Sequence, residues 1–113
     1  MMGISTHILD TAVGRPASGV AVGLSLLEGE EWRTLRTETT DADGRCKAML
    51  AEGEALTVGV YRLRFATATY YEAQGLSGLY PFVEIAFEVR DAGQHFHIPL
   101  LLTANGYTTY RGS

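Results

Sequence analysis

The sequence lacks several features that would point to whole classes of protein. Its 113 residues include a single cysteine, so no disulfide can form within the chain. No apolar run approaches the ~20 residues that a membrane-spanning helix needs. The nine basic residues are outnumbered by thirteen acidic ones, and the formal net charge of −4 argues against a general binder of nucleic acids or membrane surfaces.

Several short motifs with known chemistry are also missing. There is no CxxC pair, no glycine-rich phosphate loop and no Gly-x-Ser-x-Gly nucleophile elbow. The N-terminus has no basic segment followed by an apolar stretch, and the last three residues are not a peroxisomal address. We therefore expect a cytoplasmic protein with one domain, residues 1–113.

Short apolar and β-branched segments separated by turn residues indicate an all-β fold. Eight strands are predicted, at residues 4–9, 20–27, 32–39, 45–50, 59–67, 83–89, 95–102 and 107–111. Turns are predicted at 14–17, at 41–44 and at Asn105-Gly106, which favours a hairpin. Residues 68–75 lack alternation and are predicted as the only helix, ended by Gly75. The pattern predicts a sandwich of two four-stranded sheets with one short helix.

The strand at 95–102 carries an unusual face. Successive side chains point to opposite sides of a strand, so one face holds His95, His97, Pro99 and Leu101. The other face is purely apolar and is predicted to lie in the core. On the following strand, Thr108 and Tyr110 share a face as well. Imidazoles beside large apolar groups on an outward face indicate a surface that another subunit covers.

These residues also have simpler interpretations. A His-x-His pair on a strand is often a surface accident, and it can also form half of a zinc site, which needs three or four ligands. No second compact cluster of ligands accompanies the pair, so we predict no metal site. Taken singly, His7 is typical of a surface histidine, Arg45 of a solvated charge and Ser113 of a frayed terminus.

Three separated motifs and the C-terminal segment resemble the 5-hydroxyisourate hydrolase family. The matching segments are ISTHILD at 4–10 with GRPA at 14–17, TDADGR at 40–45, HFHIPLLL at 95–102 and YTTYRGS at 107–113. They cover nearly the whole chain in the family's order, and the terminal Tyr-Arg-Gly-Ser is the most specific of them. The resemblance implies a transthyretin-like (prealbumin-like) sandwich. It also implies a homotetramer, a dimer of dimers, with active sites in a channel between subunits.

The family shares its fold with transthyretin, a hormone carrier, so the alternative function is a non-catalytic carrier of small ligands. The resemblance implies Lys, Glu and Thr in the carrier where this chain has His7, Arg45 and His97. The carrier also has Thr at the position of Tyr110 and lacks the Arg-Gly-Ser ending. The sequence therefore favours the hydrolase. A structural sandwich of the adhesin type is a third interpretation, but such modules lie within longer secreted chains.

Two positions depart from the family pattern. Residues 103–106 replace a turn that more often contains Ser-Pro, and Cys46 stands where an aliphatic residue is commoner. Both positions lie outside the residues expected to do chemistry. We therefore expect them to affect the geometry of the turn and not the activity.

The resemblance also implies which residues form the site. The catalytic set is His7, Arg45, His97 and Ser113; the substrate-binding set is Tyr110, Leu101 and Thr108; Arg111 and Gly112 support the terminus. The implied substrate is 5-hydroxyisourate, whose six-membered ring opens to 2-oxo-4-hydroxy-4-carboxy-5-ureidoimidazoline. One of the two catalytic histidines, preferably His97, would activate the water, and Arg45 would hold the oxyanion. This chemistry requires no metal and no cofactor.

Overall fold

The computed structural model describes residues 3–50 and 53–112, which form two β-sheets and one short helix. In chain order the elements are β1 (Ile4–Asp10), β2 (Arg15–Pro16), β3 (Ala21–Glu28), β4 (Glu31–Thr39), β5 (Arg45–Cys46), β6 (Gly59–Phe65), α1 (Thr67–Glu72), β7 (Val83–Val89), β8 (Phe96–Thr103) and β9 (Gly106–Thr109). The predicted all-β class is confirmed. No helix within these two ranges is long and apolar enough to cross a membrane.

The two sheets differ by one short strand from the predicted pair of four-stranded sheets. The second sheet has the order β4-β3-β6-β7, as expected for four strands. The first has the order β2-β1-β8-β9, with β5 also pairing with β1, and its unpredicted fifth strand is β2, which lies within the turn predicted at 14–17. One edge of β1 is shared, since Thr6 and His7 pair with β5 and Leu9 and Asp10 pair with β2. The strand predicted at 45–50 is only two residues long because the chain bends at Lys47; beyond the bend, the backbone N–H of Met49 donates a 2.8 Å hydrogen bond to the carbonyl of Ile4.

The hydrophobic core lies between the sheets and is built by strict alternation along the strands. On β1 and β8 the inward residues Ile8 and Leu100 are fully buried. The outward residues of the same strands include Ser5, His7 and His97. The alternation that buries the apolar residues therefore also places the candidate site on the outer face of the first sheet.

The helix follows the predicted position closely. It spans Thr67–Glu72 rather than 68–75, and the chain continues in a turn to Gly75, whose φ of +70° stops the helix. A glycine adopts this left-handed conformation without steric strain. Tyr71 is buried against the core, and the hydroxyl of Tyr70 donates a hydrogen bond of 2.7 Å to the Asp10 carboxylate. The helix is thereby fixed to the end of β1.

Candidate active site

All three histidines of the chain belong to one region of the outer face of the first sheet. His7 lies on β1, His97 lies on β8, and His95 directly precedes that strand. β1 and β8 pair in parallel, and the register places Ser5 opposite His97. Residues 92 positions apart in the chain are thus neighbours on the same side of the sheet.

Arg45 is brought to this face by the turn at 41–44. The Asp41 carboxylate accepts hydrogen bonds from the backbone N–H groups of Asp43 and Arg45, at 2.9 and 3.0 Å. These bonds, led by the one from Arg45, hold the pKa of Asp41 below its usual value because they stabilise the carboxylate. The residue after the turn then pairs with β1, where Arg45 lies opposite His7.

The imidazoles are joined by a serine. The Ser5 hydroxyl oxygen lies 2.8 Å from Nε2 of His95 and 2.8 Å from Nδ1 of His97. A cavity of about 240 Å³ opens beside this group, and its lining residues are Ser5, Thr6, Arg45, Lys47, His95 and His97. The cavity therefore presents imidazole, hydroxyl, guanidinium and ammonium groups to a bound molecule.

His97 titrates below its ordinary range. Partial burial is the main reason that the pKa of His97 is lowered, because desolvation disfavours the charged ring. Positive charge on His7, His95 and Arg45 lowers the pKa further. At neutral pH the His97 ring is therefore uncharged and able to accept a proton.

The C-terminal segment packs directly against His97. The backbone N–H of Gly112 donates a hydrogen bond of 2.8 Å to the carbonyl of His97. A methyl group in place of the Gly112 hydrogen would lie 2.5 Å from Cδ2 of the His97 ring, so the close approach requires glycine. Arg111 donates a 2.8 Å hydrogen bond to Gln94 and lies over the ring of Phe96, 4.4 Å from its centroid. Ser113 lies outside the described residues.

The other predicted site residues are not all gathered in this cavity. Leu101 lies on the outward face of β8 and pairs with Thr108 of β9. Tyr110 is 55% exposed and lines a separate cavity of about 290 Å³ beside β7. One protomer thus brings Arg45 and His97 into one cavity, places His7 opposite Arg45 on β1 but not in the cavity lining, and leaves Tyr110 at another cavity. Substrate binding by Tyr110, Leu101 and Thr108, and a structural role for Arg111 and Gly112, stay predictions.

Sequence reasoning missed four residues that line the cavity, namely Ser5, Thr6, Lys47 and His95. Alternation already placed His95 on the same face as His97, and Ser5 on the same face as His7. What was missing is the register between β1 and β8, which the sequence does not state. Across residues 3–50 and 53–112, no group of three or more His, Cys, Asp or Glu side chains is arranged to hold a metal ion.

Comparison with known proteins gives consistent results. Residues 4–112 match the model of the HIUase/Transthyretin family. A 5-hydroxyisourate hydrolase of Caulobacter vibrioides is 49% identical over 117 residues, which cover 100% of both chains. The structure of Klebsiella pneumoniae 5-hydroxyisourate hydrolase superposes with a TM-score of 0.87 at 39% identity, again over 100% of both chains. Transthyretin from Sparus aurata superposes with a TM-score of 0.91 at 31% identity, covering 99% of this chain and 97% of the other.

Proposed function

The chain belongs to the HIUase/Transthyretin family, and from that membership we propose that it hydrolyses 5-hydroxyisourate to 2-oxo-4-hydroxy-4-carboxy-5-ureidoimidazoline. The fold alone does not choose between hydrolase and carrier, because both kinds of relative superpose closely. The observation that carries the proposal is the position of His97, whose pKa is lowered chiefly by burial, in a cavity that it shares with the Arg45 guanidinium. A proton acceptor next to a fixed cation is what water attack on a carbonyl needs.

The proposed reaction uses these groups in order. His97 takes a proton from a water molecule as the water oxygen attacks the ring carbonyl. Arg45 stabilises the oxyanion through its fork of donors, and losing such a donor typically costs about 3–4 kcal/mol of transition-state stabilisation. The carbon–nitrogen bond then breaks and the ring nitrogen leaves with a proton, which His7 or the protonated His97 supplies. General acid–base help of this kind contributes about 10²–10⁴-fold in rate.

We also propose that the protein works as a homotetramer, a dimer of dimers. The outward face of β8 and β9 carries Leu101 next to Thr108, and Tyr110 beyond it is more than half exposed. In addition, β7 and β9 are the edge strands of their sheets, and residues from both strands line one surface cavity. Unpaired strand edges and apolar outward faces are the surfaces by which β-sandwich subunits associate. Such assembly would bring Tyr110 and Ser113 into sites shared between subunits.

A cytoplasmic location belongs to the same proposal. The one thiol of the chain, Cys46, is buried and unpaired, which suits a reducing compartment. Cell fractionation with an antibody against the protein tests this location, and recovery outside the cytoplasm contradicts it.

The function is tested by following the ultraviolet absorbance of freshly prepared 5-hydroxyisourate with and without the protein. We expect the wild type to accelerate its decay and His97→Asn to reduce the rate to nearly the spontaneous one. Thr34→Asn, on the exposed face of β4 in the other sheet, serves as the matched control and should keep full activity. A wild type that binds thyroxine and leaves the decay rate unchanged would instead favour the carrier.

A further inference from the structure

Ser5 lies within the family motif at 4–10. Neither that motif nor the reaction scheme above gives its side chain a role. Its side chain lies between two imidazoles, with Nε2 of His95 and Nδ1 of His97 each 2.8 Å from the hydroxyl oxygen. Ser5 is 8% exposed, whereas His95 lies at the solvent-exposed rim. The three side chains therefore form a chain of hydrogen bonds from the surface to the half-buried ring of His97.

The number of protons restricts how this chain can be arranged. A serine hydroxyl has one hydrogen and can donate to only one of the two rings. If Ser5 donates to His97, the proton of the neutral His97 ring is on Nε2, and that nitrogen cannot accept another. If Ser5 donates to His95, Nδ1 of His97 donates to Ser5 instead. Nε2 of His97 is then unprotonated and free to act as a base.

Only the second arrangement keeps the same hydrogen bonds, each with one donor and one acceptor, in both the neutral and the charged state of His97. Once Nε2 has accepted a proton, both ring nitrogens carry hydrogen, and Nδ1 must donate to Ser5. The hydroxyl hydrogen then has His95 as its acceptor, as before. The charged ring forms without any rotation of the Ser5 hydroxyl, and the hydrogen bond from Nδ1 strengthens as the charge develops.

We propose that Ser5 and His95 are positioning residues, which hold His97 with its proton on Nδ1 and leave Nε2 free to take the proton of the attacking water. The assignment rests on the proposed hydrolase function. Among the described side chains, only Ser5 hydrogen-bonds to the His97 ring, so Nε2 has no competing partner there. The charged and titratable groups around the ring are His7 on β1, Arg45 on β5, Lys47 after β5 and His95 before β8. A base oriented by a further side chain is a general feature of water and nucleophile activation.

Substitutions at both positions test the assignment through steady-state kinetics. Ser5→Ala and His95→Leu should each lower kcat about tenfold, the effect of one hydrogen bond in the transition state, with KM within about twofold. The double variant should be no slower than either single variant, because the two side chains act as one unit. Ser5→Thr keeps a hydroxyl and His95→Gln keeps a hydrogen-bond acceptor, so both variants should retain most of the rate. Ser25→Ala replaces a buried serine of the other sheet and should remain fully active.

Nitrogen-15 NMR of the His97 ring provides a readout that does not depend on activity. In the wild type at about pH 8, we expect Nδ1 to show the protonated signature and Nε2 the unprotonated one, and Ser5→Ala should lose this preference. Full kcat in Ser5→Ala, additive losses in the double variant, or a wild-type ring protonated on Nε2 would each overturn the assignment. If the wild type does not hydrolyse 5-hydroxyisourate but the ring is protonated on Nδ1, the proposed function fails while the hydrogen-bond arrangement stands.

Discussion

The imidazole of His97 lies among other basic side chains. In serine hydrolases a buried aspartate orients the histidine and stabilises its charged form. Here the neighbours are His7, His95 and Arg45, which oppose protonation of the His97 ring. No carboxylate among the described residues hydrogen-bonds to that ring; a neutral hydroxyl does. The environment therefore favours a weak base that is fully available at neutral pH.

The pH dependence of the reaction should reflect this environment. Burial and nearby positive charge lower the pKa of His97 below its ordinary 6.5, so more than half of the rings are unprotonated at that pH. We expect kcat/KM to fall on the acid side, with the midpoint of the acid limb below 6.5. Initial rates between about pH 5 and 8, corrected for spontaneous decay, measure this profile. A midpoint above 6.5 would contradict the assignment of His97 as the base.

At the scale of the elements, the helix α1 fixes the end of β1 through only one of its two tyrosines. The Tyr70 hydroxyl donates to the buried carboxylate of Asp10, at 2.7 Å. The neighbouring Tyr71 is buried, and its hydroxyl has no hydrogen-bond partner among residues 3–50 and 53–112. Burial is the main reason that the pKa values of both phenols are raised. Two adjacent residues of the same type therefore differ mainly in whether the hydroxyl is paired.

Replacing each tyrosine by phenylalanine should separate these two situations. Tyr70→Phe removes the donor to a buried charged group and should lower the free energy of unfolding by about 1.5–3 kcal/mol. Tyr71→Phe removes an unpaired buried hydroxyl and should leave the free energy of unfolding unchanged or raise it. Urea unfolding followed by circular dichroism measures both variants. An equal loss of stability in the two variants would show that the Tyr71 hydroxyl does have a partner.

The turn before β5 determines where Arg45 lies, and its last residue has no room for a side chain. Gly44 has φ +75°, and a methyl group there would overlap the carbonyl oxygen of Ile8 and crowd Pro16. Gly29, in the turn between β3 and β4, has φ +65° but no atom within 4 Å of the same position. The two glycines therefore share a backbone conformation and differ in packing.

Alanine at these two glycines should separate backbone strain from overlap. Gly29→Ala should cost about 1–2 kcal/mol of stability, from the left-handed conformation alone, and leave activity intact. Gly44→Ala adds the overlap with backbone atoms of β1, so we expect a clearly larger loss of stability and a fall in kcat/KM as Arg45 is displaced. Thermal unfolding and the absorbance assay measure the two effects. Similar stabilities for the two variants would show that β1 and the turn can move apart.

Local patterns in the sequence predicted the long strands, the helix and the turn at 41–44, because alternation and turn residues act over a few positions. They failed where a feature depends on distant partners. β5 is short because the chain bends at Lys47, and the Ser5–His97 pair follows from parallel pairing. Even the hairpin predicted at Asn105-Gly106 has shifted, since Thr103 pairs with Gly106 and the turn begins one residue earlier. Register is decided by packing of whole strands, which a local pattern does not contain.

At the scale of the whole molecule, the candidate site is assembled from three strands that are far apart in sequence and lies on an open face. His7, Arg45 and His97 come from β1, β5 and β8. The resemblance to the hydrolase family predicted this gathering, whereas residue types alone did not. Tyr110 is largely exposed and lines a separate cavity beside β7. We propose that a surface from another copy of the chain closes this site and excludes water around a small planar substrate.

A charge on this face should therefore disrupt assembly without unfolding the subunit. We expect the wild type to sediment at about four times the protomer mass of 12.3 kDa. Leu101→Arg would place a guanidinium in the interface, and each copy would contribute one because identical subunits meet there. Burying an unpaired charge costs several kcal/mol, so this variant should sediment at half the wild-type mass or less and keep its β-sheet spectrum.

Val58→Arg places the same charge at a residue that is 66% exposed, before β6 of the other sheet, and is the matched control. It should retain the wild-type mass. The proposed contacts between subunits involve β7, β8 and β9, so the side chain at position 58 can stay in solvent. Sedimentation equilibrium over a range of concentrations distinguishes weakened association from unfolding, which circular dichroism follows separately. A wild type that sediments as a single chain and is fully active, or a Leu101→Arg variant that keeps the wild-type mass, would contradict a site completed by a neighbouring subunit across this face.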